Sequence, residues 1–277
     1  MEILRYTAFS TDPDGGNPAG VVLDARGLDD AEMLAAAAEV GYSETAFVTE
    51  RHQGDGWGFD VRYFSPKAEV AFCGHATVAA AVALADCLTG PGELLFRTRS
   101  GDVPVRVGAG EATLTSVDPR VDGLPEADVA EALRLLDWQP GDLDPALPPR
   151  IAYAGARHLV LAARTRERLA DLAYDFDGLA AYMTQRDLTT LQLVWREDAH
   201  TFHVRDPFPI GGVVEDPATG AAAAAFGAYL RELGAVAPAA VLTLYQGADL
   251  GRPGVLRVEL RDGDRRVRVT GAAVRMR

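Results

Sequence analysis

Short runs rich in apolar and β-branched residues, bounded by Gly, Pro, Asp or Asn, predict strands at residues 3–9, 20–23, 44–49, 57–64, 93–99, 103–108 and 111–117. A second series falls at 151–154, 158–162, 190–195, 200–205, 241–245, 254–260 and 266–275. Helical spacing appears at 29–40, where Asp29 or Asp30 supplies a cap and Gly41 a stop. It recurs at 125–137, whose Val129, Leu133 and Leu136 share one face, and in short stretches near 166–173 and 177–184. The turn-rich segment 12–18 separates the first two strands, and the Pro- and Asp-rich stretch 138–149 is a loop. Many strands with few helices predict an α+β fold and not a βαβ series.

Two segments are apolar all round. Residues 76–88 contain only Thr77 and Asp86 as clearly polar positions, and residues 221–230 carry no charge. A surface helix shows a polar face, so both are predicted to be helices enclosed on every side, with small side chains that let strands approach closely. The segments leading into them match. Ser65-Pro66, Glu69 and Gly74 have counterparts in Asp206-Pro207, Glu215 and Gly220, at offsets of 141, 146 and 146 residues. Farther upstream, residues 16–19 correspond to residues 155–158 at an offset of 139. Slowly drifting offsets are those of a duplicated unit with loop insertions.

Composition narrows the chemistry. Lys67 is the single lysine among 27 basic residues, which argues against Schiff-base chemistry. Two cysteines, Cys73 and Cys87, build neither a disulfide framework nor a four-thiolate metal site, and no metal is expected. A formal charge of −13 argues against nucleic acid and anionic membranes as partners. The start of the chain lacks a basic-then-apolar leader and no run reaches transmembrane length, so a cytoplasmic protein is expected.

Candidate chemistry gathers where the enclosed helices begin. Each opens at a glycine, Gly74 or Gly220, and a helix N-terminus presents unpaired N–H groups and the positive end of the dipole to a carboxylate. An acidic protein can thus hold an anion through backbone dipoles. His75 and Asp216 flank these glycines, and Glu44 starts the strand Thr45–Val48 at the margin of the core. Asp216 alone fits a helix cap equally well. His200 and His203 lie on opposite faces of a strand and make a poor metal pair. Residues 245–247 suggest a turn near the substrate, and His158 either lines the second half's cleft or is structural.

Four stretches taken together, Gly16-Asn17-Pro18-Ala19-Gly20-Val21-Val22, Ser43-Glu44-Thr45-Ala46-Phe47-Val48, Arg62 through Thr77, and Glu215-Asp216-Pro217-Ala218-Thr219-Gly220, resemble the PhzF family of phenazine-biosynthesis-like isomerases. The resemblance runs in the same order over nearly the whole chain. It implies a diaminopimelate-epimerase-like fold of two similar halves, each a strand barrel round a central helix, with the active site between them. The first half would be 1–118, with 264–277 returning to it, and the second 119–263. It further implies a homodimer, no cofactor and a small carboxylate substrate.

By that resemblance Glu44 is the general acid–base, His75 and Asp216 position polar groups or relay protons, and Asn17, Ser43, Gly74, Thr219, Gly220 and Ala221 line the substrate. The wider superfamily includes two-cysteine racemases. Cys73 falls where their first thiol lies, and the matching position in the second half is taken as Pro217, which carries no proton. Where the family commonly has Ser after the second Thr-Gly, this chain has Ala221, so a hydroxyl contact to the phenazine precursor is missing. The competing expectation is a non-catalytic small-molecule binder or scaffold on the same fold.

Overall fold

The computed structural model describes residues 1–54 and 56–277. The chain divides into two compact units, 1–115 with 269–277, and 116–268.

Unit 1 contains β1 (Leu4–Ala8), β2 (Asn17–Val22), α1 (Asp30–Val40), β3 (Glu44–Gln53), β4 (Trp57–Phe64), β5 (Glu69–Val70), α2 (Gly74–Leu84), β6 (Gly92–Thr98), β7 (Gly101–Val107) and β8 (Glu111–Thr115). Unit 2 contains β9 (Arg120–Asp122), α3 (Glu126–Leu135), β10 (Arg150–Tyr153), β11 (Arg157–Ala163), α4 (Arg166–Ala170), α5 (Phe176–Gln185), β12 (Thr190–Arg196), β13 (Thr201–Pro207), β14 (Glu215–Asp216), α6 (Gly220–Glu232), β15 (Ala240–Gln246) and β16 (Gly254–Arg261). The long last strand β17 (Asp264–Arg275) begins in unit 2, and its residues from Val269 onward belong to unit 1.

In unit 1 the strands close on themselves. β1 pairs antiparallel with β2, β2 parallel with β3, β3 antiparallel with β4, β4 parallel with β6, and β6 antiparallel with β7. β7 then pairs with β8, β8 with β17, and β17 returns to β1. A closed sheet leaves no unpaired edge. In unit 2 the series β10, β11, β12, β13, β15, β16 repeats the same alternation of antiparallel and parallel pairs in the same order. The duplication seen in the sequence is therefore a duplication of pairing topology.

Each unit is built round the helix the composition singled out. Every residue of α2 is buried, and in α6 Gly220 and Ala222–Leu230 are. Alanine supplies helix propensity without bulk, so strands pack against these helices from all sides. At Gly227 an added Cβ would lie 2.7 Å from Val258 Cγ1, which shows how close β16 comes to α6. The surface helix α1 is amphipathic by contrast. Asp29 is its cap in a reciprocal capping box with Glu32, and Gly41 ends it in a left-handed conformation at φ 72°.

Two details depart from the expected elements. The helix predicted over 76–88 ends at Leu84, and Ala85–Thr89 widen into a π-helical turn. There the helix leaves the core: Cys87 and Leu88 are exposed, and Asp86 accepts a hydrogen bond from Tyr6 at 3.1 Å. The strand expected at 20–23 starts earlier, at Asn17, because Gly16 takes a φ of 56° that turns the chain into β2. A Cβ on Gly16 would meet the carbonyl oxygen of Ala8 at 2.2 Å. Among the described residues no helix is long and apolar enough to cross a membrane.

Candidate active site

The unit 1 cluster forms at the N-terminus of α2. Cys73 is the residue before the helix, and its side chain makes no capping bond, so it does not satisfy the first-turn N–H groups. The parallel pairing of β2 with β3 aligns Ala19 with Glu44 and so brings Asn17, Ser43 and Glu44 to the same end of the barrel. There the Cys73 thiol donates to Glu44 Oε2 at 3.4 Å and lies 3.2 Å from Nδ1 of His75. His75 Nε2 is 3.5 Å from Glu44 Oε2 and 3.3 Å from the Ser43 hydroxyl.

Asn17 fixes the histidine. Its Nδ2 donates to His75 Nδ1 at 3.1 Å, which makes Nδ1 the acceptor and leaves the ring proton on Nε2. That proton faces Ser43 and Glu44. The cluster is thus a carboxylate with a thiol and an imidazole N–H beside it, at a helix end suited to an anion. Glu44, His75, Asn17, Ser43 and Gly74 are all brought together. Cys73, at the place of the first superfamily thiol, touches both Glu44 and His75. Glu44, Cys73 and His75 also form a group able to hold a metal ion, with one donor atom from each within 4.8 Å of the others.

The unit 2 cluster forms at the N-terminus of α6. Asp216 lies in β14 and accepts the Thr219 hydroxyl on Oδ2 at 2.6 Å. The cap position belongs to Thr219, whose side chain makes no capping bond, so the cap reading of Asp216 is set aside. Gly220 is buried and Ala221 half-buried in the first turn.

Gln246 ties this end together. Its Oε1 accepts the Thr219 N–H at 2.9 Å, and its Nε2 donates to the Asp216 carbonyl at 2.9 Å, Thr219 Oγ1 at 3.0 Å and Asp206 Oδ2 at 3.2 Å. Gly247 follows at φ 80°, where a Cβ would strike the carbonyl oxygens of Arg252 and Pro217. In the sequence this stretch shows only a turn at 245–247. Asp206 is fully buried, and burial first, then the charges of Asp216 and Glu215, push its carboxyl well above the usual range.

The two units can be compared place by place. Ala19 faces Glu44 across β2 and β3, and His158 faces Thr190 across β11 and β12. Thr190 thus takes the place of Glu44, and its hydroxyl is spent on His158 Nδ1 at 2.8 Å. His158 is structural in character, fully buried with its pKa driven by that burial to about 3. Thr219 stands where Cys73 stands, directly before the helix glycine. Pro217, the expected counterpart of the second thiol, lies two residues before Thr219, and neither residue carries a thiol. Ala221 takes the place of His75.

One shared device supports both helix ends. Arg62 Nε and Nη2 donate to Glu69 at 2.7 Å each, and Arg205 Nε and Nη2 donate to Glu215 at 2.8 Å each. Each bidentate pair joins a long strand to the two-residue strand ahead of its helix, β4 to β5 and β13 to β14. His203 bonds to Glu197 at 2.7 Å, and His200 is exposed outside the strand, so they form no metal pair.

The sequence model of the PhzC-PhzF family, phenazine biosynthesis-like protein, matches residues 6–277. An uncharacterized isomerase of Deinococcus radiodurans is 36% identical over 274 residues, covering 93% of this chain and 87% of its own. The crystal structure of a PhzF-family phenazine biosynthesis protein from Bacillus anthracis superposes with a TM-score of 0.87 at 26% identity, covering 100% of this chain and 98% of that one. A probable proline racemase from Agrobacterium radiobacter shares the fold, with a TM-score of 0.62 at 12% identity over 98% of this chain and 90% of its own.

Proposed function

Because the chain belongs to the PhzC-PhzF family of phenazine biosynthesis-like proteins, and is an isomerase of that family, we propose that it moves a proton on a small carboxylated, unsaturated or cyclic metabolite, with Glu44 as general acid–base and no cofactor. The observation that carries this reading is the meeting of Glu44, Cys73 and His75 at the first turn of α2.

In this mechanism the substrate carboxylate is held by the first N–H groups of a buried helix, whose dipole favours negative charge. Glu44 takes a proton from a carbon made acidic by an adjacent unsaturated system. The same group then returns it at another carbon of that system. As Glu44 becomes neutral its neighbours keep donors on the reacting side: the Cys73 thiol and the Nε2 proton of His75. Asn17 holds that imidazole orientation. A placed acid–base group contributes about 10²–10⁴ in rate.

Asp216 joins as a polar anchor whose orientation is set by Thr219 and Gln246. Thr190 and Ala221, at the places of Glu44 and His75, leave unit 2 without an equivalent base, and the lack of a thiol at both Pro217 and Thr219 argues against a two-thiol racemase. Ala221 favours a substrate that does not need a hydroxyl at that point.

The test is isotopic. Incubation in deuterated water with a dihydro-hydroxyanthranilate-type acid, and with a panel of unsaturated carboxylates, is expected to place deuterium on carbon. Incorporation that persists unchanged in Glu44→Gln overturns the assignment. Ligand binding that survives Glu44→Ala, with no turnover of any candidate, favours the binder instead.

A further inference from the structure

Asp206 is a carboxyl that the proposed proton chemistry leaves unused. The register of β13 and β14 sets it directly opposite Asp216, with Pro207 opposite Glu215. In unit 1 the same register sets Tyr63 opposite Val70 and Phe64 opposite Glu69, so Asp206 takes the place of Tyr63 and not of Ser65. Tyr63 fills that buried place as a neutral phenol bonded to the Thr77 hydroxyl at 2.6 Å. Unit 2 instead opposes two carboxyls, and Asp206 is 0% exposed. The guanidinium of Arg205 does not compensate it, being spent on Glu215 and the Ala170 carbonyl. The donors near Asp206 are shared. Gln246 Nε2 has two hydrogens for the Asp216 carbonyl, Thr219 Oγ1 and Asp206 Oδ2, and the Thr219 hydroxyl gives its hydrogen to Asp216 Oδ2. Among the described residues Asp206 Oδ1 has no partner and is shut off from solvent. An ionised Asp206 would bury a charge with one oxygen bare, which is costly. A proton on Asp206 removes that charge and supplies a donor within reach of Thr219.

We propose that Asp206 and Asp216 hold one proton between them, carried by Asp206, and that Asp206 is thereby a positioning residue for Asp216. With Asp206 neutral, the Thr219 hydroxyl has a single anionic acceptor and stays on Asp216. Loss of the proton puts two anions on opposed residues, and Thr219 and Gln246 then have to serve both. Thr219 directly precedes Gly220, so the disturbance reaches the first turn of α6. The charged groups facing Asp206 are Asp216 and Glu215 on β14, and their charges add to burial in resisting its ionisation. From α6 and β15 it meets only the uncharged Thr219 and Gln246. The arrangement is therefore intact at neutral pH and fails on the alkaline side. Its effect on turnover rests on the isomerase reading, whereas the shared proton does not.

The experiment labels the aspartate carboxyl carbons of the full-length protein with ¹³C and follows their NMR shifts with pH. The Asp206 signal is the one missing in Asp206→Asn. Its titration midpoint is expected above pH ~6, against ~3.9 for a free aspartate, and a midpoint below pH ~6 overturns the proposal. Deuterium exchange into a dihydro-hydroxyanthranilate-type acid supplies the second readout. Wild-type kcat/KM is expected to fall by about tenfold per pH unit on its alkaline limb. Asp206→Asn, which stays neutral and keeps both a donor and an acceptor, is expected to move that limb to higher pH. Asp206→Leu, which has neither, is expected to lower kcat/KM at every pH. Circular dichroism confirms that each variant is folded. An alkaline limb identical in wild type and Asp206→Asn overturns the positioning role, and so do equal rates in the Asn and Leu variants. The carboxyl signal needs no substrate: if it titrates as expected and no isotope exchange appears, the shared proton stands and the isomerase reading falls.

Discussion

The thiol of Cys73 is directed at the carboxylate of Glu44, Sγ to Oε2 3.4 Å, from opposite sides of a junction between a buried helix and a strand edge. The contact joins the residue before α2 to the first residue of β3, so carboxylate and thiol are positioned by separate elements of one closed barrel. Glu44→Gln keeps the shape and removes the proposed base. Its deuterium exchange is expected to fall by about 10²–10⁴ with little change in melting temperature. Cys73→Ser keeps a donor to Oε2 and is expected to stay within about tenfold of wild type, the worth of one ordinary hydrogen bond. A Cys73→Ser loss as large as that of Glu44→Gln would assign the thiol a direct proton-transfer role.

The two bidentate arginine pairs differ in burial, and stability should follow. Arg205 and Glu215 side chains are 10% and 3% exposed, whereas Arg62 is 24% exposed and shares Glu69 with Arg99. Glu215→Ala leaves a buried guanidinium uncompensated and is expected to cost about 3–5 kcal/mol. Glu69→Ala is expected to cost less, because Arg62 retains Asp30 at 2.8 Å. Urea denaturation of both variants measures this, and equal losses would count against the burial explanation.

Gln246 acts on Asp216 through Thr219 and the backbone, so it is a positioning residue. Gln246→Glu removes both amide donors and adds a carboxylate beside Asp206 and Asp216. A drop in kcat with KM nearly unchanged is expected, most severe at high pH where the new group is ionised. Gln246→Ala should lower kcat without that added pH dependence. Steady-state profiles from pH 5 to 9 separate the two, and parallel profiles would remove Gln246 from the site's support.

His158 sets an acid limit on stability. Burial lowers its folded pKa to about 3, so between that value and the unfolded ~6.5 the unfolded chain binds the extra proton. Its stabilisation is present above pH ~6.5 and is lost as pH falls, by up to about 1.4 kcal/mol per pH unit. His158→Asn, which keeps an acceptor near Thr190, is expected to flatten the acid side of the stability curve. The check is chemical denaturation between pH 4 and 8, and an unchanged slope would refute the assignment.

Asp206 has the opposite sign. Its folded pKa is raised by burial, so the folded state holds the proton above the unfolded pKa of ~4. Stability from this group is fully present below that pH and is lost as pH rises toward the folded pKa. Asp206→Asn is expected to gain on wild type between pH 4 and 8, since Asn stays neutral and still accepts from Gln246. A difference independent of pH contradicts a protonated Asp206.

Much of this frame is legible in the sequence. The enclosed helices announced themselves by lacking a polar face, and Glu44 and His75 stood out as polar residues at the margins of apolar segments. The repeat showed in matched Pro, Glu and Gly positions. Gln246 and Asp206 gave no comparable signal, because their hydrogen bonds reach residues 30 and 40 positions away and leave no periodic trace.

Local pattern along the chain specifies the strands, the two buried helices, the duplication and the residue types available for proton chemistry, because burial patterns and helix signals are local. Tertiary structure decided which of those residues meet. Parallel pairing of β2 with β3 carries Glu44 to Cys73 and His75, and the same pairing in unit 2 carries Thr190 to His158. The fold duplicates the frame, and side-chain identity at matched places puts a carboxylate at Glu44 and a hydroxyl at Thr190. That outcome depends on strand register and on contacts distant in sequence, which local hydrophobic pattern does not encode.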